Sequence, residues 1–401
     1  MKTDASVDDT DITIFTIPGL SININSKHPD GILQLNASGN LRAVCTPFLN
    51  KINTRLKYEK PALVEGERVI ASTWLPPIPS KAFKRLLYAE VQIALGKYVP
   101  ETASFEITRE CKCNCEHCVV SGGEGDMDID AIKRAIDEAL DMGAFIITFT
   151  EGDPLLREEI FELIEYVDKD RAIVNIFTPG TEITPQVAKR LKDSGLHSLL
   201  VSIYSTDPKK HDSVRRLDGA YEKATAAIKY GLDAGLLVTM TTHVAPDRIG
   251  ELPAMYELAS ELGVHEFSLW ESVPKKIGDA ILSDTDRKTI LDMYHRVNST
   301  KGGPRIFSNT FFEGEMLGCM AGQRWVHVCV DGSVKPCPYL PFEYGNIENE
   351  SLKSIWDKIR SYPQFKGERH VCLMHDPNFL ELVSRIPEDA KVPYDFEMLK
   401  K

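Results

Sequence analysis

Residues 111–118 read Cys-Lys-Cys-Asn-Cys-Glu-His-Cys, which puts four of the chain's nine cysteines within eight positions. So many soft ligands on one short stretch serve metal binding and not packing, so whatever fold forms must present this loop. Cys111, Cys115 and Cys118 follow the spacing C-x3-C-x2-C. Three thiolates so placed can hold three irons of a [4Fe-4S] cube and leave the fourth iron open to a small-molecule chelate. A zinc knuckle built from Cys111, Cys113, Cys115, Cys118 and His117 uses the same ligand types, although zinc-binding C-x2-C pairs normally sit apart. A c-type haem site is excluded, because Val119 and not histidine follows Cys118. Cys113 is surplus to the pattern and is assigned no role.

The rest of the composition narrows the setting. Of the 401 residues, 43% are hydrophobic, and the net charge is −12. That charge argues against a general nucleic-acid surface. No apolar run reaches membrane-span length, and the polar start Met1-Lys2-Thr3-Asp4-Ala5 is unlike a signal peptide. Cysteines gathered in two groups imply metal ligation in a reducing compartment, hence a cytoplasmic protein.

Read in order, residues 1–79 form a β-rich module ending in the stiff linker Trp74-Leu75-Pro76-Pro77-Ile78-Pro79. Within it Ile12–Ile17 alternates, Pro29-Asp30-Gly31 marks a turn, and lone Cys45 reads as a buried structural thiol. Residues 80–103 hold a helix with Phe83, Leu86, Leu87, Val91, Ala94, Leu95 and Tyr98 on one face and Lys81, Lys84, Arg85 and Lys97 elsewhere. Such a face either packs on the protein core or touches a membrane surface from its inner side. From residue 104 to about 300, strands alternate with helices in six β/α units, the strands ending with Glu266–Trp270. That alternation predicts an α/β fold with a parallel sheet and ligands at the C-terminal strand ends. Residues 301–401 carry the second cysteine group and a polar tail.

The octapeptide and the segments after it resemble the radical S-adenosylmethionine (SAM) superfamily. The resemblance implies a partial (β/α)6 barrel, a [4Fe-4S] cluster on Cys111, Cys115 and Cys118, and SAM held at the open iron. Thr150-Glu151-Gly152-Asp153-Pro154 stands where the family has Gly-Gly-Glu-Pro. This implies that Gly152 lets the backbone approach SAM, and leaves open whether Asp153 or Glu151 reaches the SAM amine. Ser202, at the fourth strand end, resembles the ribose contact. Arg215, in His211-Asp212-Ser213-Val214-Arg215, resembles the partner of the SAM carboxylate, which a guanidinium fork suits. Cys319-x12-Gly332-x4-Cys337 is similar to the opening of a SPASM auxiliary-cluster domain. That domain's later cysteine run is missing, so the resemblance implies a short, twitch-like version with one auxiliary Fe–S cluster, of the [4Fe-4S] type. Cys319, Cys329, Cys337 and Cys372 are the candidate ligands; without Cys329 three remain.

The expected activity is reductive cleavage of SAM to a 5′-deoxyadenosyl radical, which takes hydrogen from an unactivated C–H bond. An electron donor such as ferredoxin or flavodoxin is implied as partner. The amphipathic helix favours a lipid substrate, an isoprenoid or other membrane-lipid chain, met by peripheral membrane contact. A peptide or protein side chain and a tetrapyrrole side chain of the haem pathway are the alternatives; a non-catalytic Fe–S or zinc-binding protein is the alternative of another class.

Overall fold

The structure is a computed structural model and describes residues 11–25, 31–115, 117–118, 125–367 and 369–400. The Met1–Ala5 start, the Pro29-Asp30 part of the expected turn, and Val119 lie outside the described residues. In the N-terminal module, β1 (Asp11–Ile17), β2 (Leu20–Asn25) and β3 (Gln34–Ser38) form an antiparallel meander. Ile12, Ile14 and Ile24 form its buried face with Val69, Ile78 and Phe83. The module is less β-rich than its sequence suggests, because Arg42–Leu56 is a helix (α1) that continues through Pro47. Tertiary contact overrides weak propensity here: Leu35 donates its backbone N–H to the Asn53 side chain, which in turn donates to the Leu35 carbonyl. Cys45, expected inside, is partly exposed on α1.

A short hairpin, β4 (Leu63–Glu65) and β5 (Arg68–Ile70), leads to the proline-rich stretch. This stretch is anchored and not free. Thr73 Oγ1 donates to Glu266 Oε1 at 2.7 Å, and Trp74 packs on Phe177, Trp270 and Phe307. Arg305 joins the same end by pairing with Glu266 at 2.8 Å and with Glu59. Residues before the first long strand therefore plug the N-terminal end of the main sheet.

That sheet contains β6 (Thr102–Phe105), β7 (Ile146–Phe149), β8 (Ile173–Thr178), β9 (Ser198–Ser202), β10 (Leu237–Val244) and β11 (Glu266–Glu271). Each is short and buried along nearly its whole length, as strands covered on both faces must be. Glu266–Trp270 is not the last strand: β12 (Arg305–Ser308) pairs parallel with β11. At the other edge β13 (Trp325–Val328) pairs parallel with β6, and β14 (Val334–Lys335) returns antiparallel around Asp331-Gly332. The order is β12-β11-β10-β9-β8-β7-β6-β13-β14, so one sheet runs across position 300. Its two ends curl together: the rings of Trp270 on β11 and Trp325 on β13 lie 6.4 Å apart. The result is a mixed α/β fold with a parallel core, an open barrel whose C-terminal strand ends surround a cavity.

The helix α2 (Lys81–Ala94) starts at Ser80, whose hydroxyl accepts the Phe83 N–H. Its expected single face is split. Phe83 enters the module core, Ala89 packs with Phe145, Ile146 and Ile173, and Val91, Leu95 and Tyr98 are exposed. Arg85 donates to the Ala144 carbonyl just before β7. These contacts fix α2 at the N-terminal strand ends, opposite the cysteine loop, so it does not border the barrel mouth as a lipid guide would have to.

Candidate active site

The cysteine loop follows β6 and is tied to its neighbours by the backbone. Asp153 donates its N–H to the Glu110 carbonyl at 2.7 Å, and Asn114 donates to the Arg215 carbonyl at 3.0 Å. Gly152 permits the first of these contacts. Its φ is +61°, and a Cβ there would sit 2.3 Å from the Thr108 carbonyl oxygen. Cys111, Cys113 and Cys115 hydrogen-bond through their sulfurs, with Cys113 between the other two. The Cys113 hydrogen bond and the nearby Arg215 guanidinium bring the Cys115 thiol down to about 6, which favours the thiolate that binds metal. Cys118 is exposed on the same loop.

Arg215 ends the helix Pro208–Arg215 and is buried. Its Nη1 lies 3.6 Å from Cys115 Sγ, its Nη2 donates to the Ser202 carbonyl at 2.9 Å, and its guanidinium stacks on Tyr204 at 4.4 Å. The fold thus gathers Cys115, Ser202 and Arg215 from three separate segments. Asp153 goes elsewhere. Its carboxylate accepts from Thr178 Oγ1 at 2.9 Å and from the Leu155 N–H at 3.3 Å, with Thr181 Oγ1 at 3.4 Å. Burial raises its pKa to about 6 in spite of these bonds. Glu151, and not Asp153, lines the cavity.

The cavity has a volume of about 1080 Å³ and is lined by the cysteine loop, the strand ends and the Pro338-Tyr339 pair of the C-terminal segment. Phe177, Trp270 and Trp325 give it aromatic walls. His117 stacks on His243 at 4.6 Å, and burial together with the facing imidazole lowers His117 to about 3, so it is neutral. Sequence reasoning missed Tyr204, His243, Trp270 and Trp325, since an aromatic residue at a strand end carries no motif of its own.

Of the C-terminal cysteines, Cys319 and Cys372 share a hydrogen bond that lowers Cys319 to about 7. Cys337 lies near Cys319 and is raised mainly by burial. Cys329, just after β13, is apart from that bond, with its thiol on the His327 side chain. Cys319, Cys337 and the partly buried Cys372 are a chemically suitable donor set for an Fe–S cluster, and the Cys111–Cys118 loop is one for a second.

Comparison with known proteins decides between zinc and iron–sulfur chemistry. Residues 105–259 match the radical SAM superfamily, and residues 319–376 match an iron-sulfur cluster-binding domain of the SPASM type. The chain belongs to the radical SAM superfamily. It is an enzyme of that family, and its cofactors are SAM, a [4Fe-4S] cluster and an auxiliary Fe–S centre. The AdoMet-dependent heme synthase of Methanosarcina barkeri is 29% identical over 68% of this chain and 88% of its own length. That of Nitratidesulfovibrio vulgaris is 28% identical over 66% and 81%. Among solved structures, Streptococcus suis SuiB bound to the precursor peptide SuiA superposes with a TM-score of 0.55 over 88% of both chains at 14% identity, a likeness of fold. Within this radical SAM enzyme, Cys111, Cys115 and Cys118 are the residues that would hold the [4Fe-4S] cluster, with Arg215 and Ser202 beside it. Among the described residues no helix is long and apolar enough to cross a membrane.

Proposed function

We propose that this radical SAM enzyme oxidises a carboxylate-bearing side chain of a tetrapyrrole. The observation that carries this reading is the charge of the cavity. The protein as a whole carries −12, yet the lining has Arg109, Lys112, Arg215, Arg216 and Lys275 against Glu110 and Glu151, with Arg109 paired behind it to Glu106 and Asp331 and Lys112 to Glu182. Such local inversion attracts anions, and Arg215 alone suffices for the SAM carboxylate. The volume exceeds that of an ordinary single-ligand site, so a second, anionic and flat molecule fits against Phe177, Trp270 and Trp325. The heme synthases point to the same substrate class.

Bound SAM and its cluster supply a 5′-deoxyadenosyl radical that removes hydrogen from an unactivated C–H bond. This chain's residues do the rest. Arg215 orients the SAM carboxylate, the aromatic walls exclude water and set the ring plane, and the rim cations hold the carboxylates. A ferredoxin- or flavodoxin-type protein is the electron donor. A lipid substrate is less well supported, since α2 is at the far end of the strands.

Anaerobic turnover of the reconstituted enzyme with SAM, a reductant and a tetrapropionate porphyrin tests the reading. A change of side-chain mass in the porphyrin is expected; an unaltered porphyrin alongside a modified peptide would overturn it.

A further inference from the structure

Among the described residues, only two that are not glycine have a left-handed backbone: Glu151 at φ +66° and Arg216 at φ +52°. Both line the same cavity. A side chain at such a φ is unfavourable, and strain of this kind clusters at functional positions. Glu151 has a fixed partner within the protein, since its Oε2 forms an ion pair with His327 Nε2 at 3.1 Å. Arg216 has none: it is exposed, and its side chain makes no hydrogen bond or ion pair among the described residues.

The backbone around Arg216 is held from three sides. Arg216 follows the helix Pro208–Arg215 at the position where glycine is the residue of least strain. Its N–H donates to the Ser213 carbonyl at 3.2 Å, and the Arg215 carbonyl beside it accepts the Asn114 N–H of the cysteine loop at 3.0 Å. The Asp212 carboxylate accepts the Gly219 and Tyr221 N–H groups at 2.7 and 2.8 Å, which fixes the turn that follows. An arginine is thus kept where glycine would be less strained, directly after Arg215. The other cavity cations are engaged. Arg109 pairs with Glu106 and Asp331, Lys112 pairs with Glu182, and Arg215 faces Cys115 and the Ser202 carbonyl. Lys275 is near the His117–His243 stack. Arg216 is the guanidinium left for a second anion.

We propose that Arg216 is a specificity-determining residue whose guanidinium binds a carboxylate of the substrate beside the SAM site. On the tetrapyrrole reading, on which this inference rests, that carboxylate is a propionate at the edge of the ring. The fork donates two parallel N–H bonds to the two carboxylate oxygens, a geometry that an amide or an ester cannot match. The contact is made to a side chain of the ring, so it is independent of the metal at the ring centre. It brings an anionic arm of the substrate next to the residue that orients SAM, which is where hydrogen is removed.

The test uses the reconstituted holoenzyme with SAM bound, titrated by absorbance with the iron complex of a tetrapropionate porphyrin and with the same complex carrying amides in place of its carboxylates. Wild type is expected to bind the tetracarboxylate more tightly than the tetra-amide. Arg216→Gln is expected to lose about tenfold on the tetracarboxylate and little on the tetra-amide, with SAM affinity unchanged. Arg216→Gly is expected to lose the same selectivity while matching or exceeding the wild-type Tm, because glycine relieves the left-handed backbone. Equal losses on both rings, weakened SAM binding, or a lower Tm in Arg216→Gly would each overturn the assignment. Unchanged binding of the tetracarboxylate by Arg216→Gln would overturn it and leave the tetrapyrrole reading standing. A wild-type enzyme that binds neither ring removes the tetrapyrrole reading itself, and this inference with it.

Discussion

The Arg215 guanidinium is 3.6 Å from the Cys115 sulfur. We propose that this one cation serves both a cluster thiolate at Cys115 and the carboxylate of bound SAM. Arg215→Ala should weaken SAM binding on the order of 2 kcal/mol, roughly 30-fold, by loss of a charged hydrogen-bonded pair. Arg215→Lys should recover only part of this, because an ammonium lacks the bidentate fork. Equilibrium binding of SAM to the reconstituted variants measures both, and unchanged affinity in Arg215→Ala would show that the carboxylate is held elsewhere.

The loop cysteines differ in expected role. Single Ala variants of Cys111, Cys115 and Cys118 should each abolish 5′-deoxyadenosine formation. Cys113→Ala should retain it, because Cys113 is outside the C-x3-C-x2-C spacing and only hydrogen-bonds its neighbours. Loss of activity in Cys113→Ala with full iron content would give Cys113 a role this account lacks.

Iron content separates the two clusters. Intact reconstituted protein should hold about 8 irons per chain if both centres are cubes. Cys319→Ala/Cys337→Ala should fall to about 4 and still cleave SAM. Cys329→Ala should keep all about 8, because its thiol faces His327. An intact chain with only about 4 would contradict the auxiliary cube.

The Glu151–His327 pair predicts a pH dependence of stability. Burial lowers the His327 pKa, but the Glu151 carboxylate and the Cys329 sulfur together outweigh it and raise the imidazole from 6.5 to about 9. The folded state therefore holds the proton more tightly than the unfolded one. The stabilisation is complete below the unfolded value and is lost as pH rises through about 9, amounting to at most about 3 kcal/mol. In cluster-free protein, the Tm of wild type should fall more steeply between neutral pH and about pH 9 than that of His327→Gln. Parallel slopes would show that His327 is not protonated in the folded state.

What could be read from sequence depended on whether the signal was local. The cysteine loop, the β/α alternation and the 319–337 spacing are contiguous patterns, and each was legible. The Glu151–His327 pair was not, because it joins a strand end in the barrel to a strand that enters the same sheet from the C-terminal segment. The face of α2 was misleading for a related reason. Periodicity shows that a face exists, but Phe83 and Ala89 pack into two different clusters and leave Val91 and Leu95 outside. Helix α1 was hidden by Pro47 and by a weakly amphipathic sequence whose Asn53 contact is tertiary.

Hydrogen transfer tests the central claim most directly. A tetrapropionate porphyrin deuterated on its side chains is incubated anaerobically with the reconstituted enzyme, SAM and reductant, and the 5′-deoxyadenosine is analysed by mass spectrometry. The account predicts one deuterium in that product, dependent on Cys115. Unlabelled 5′-deoxyadenosine, with deuterium arriving only from a labelled peptide or lipid, would contradict it.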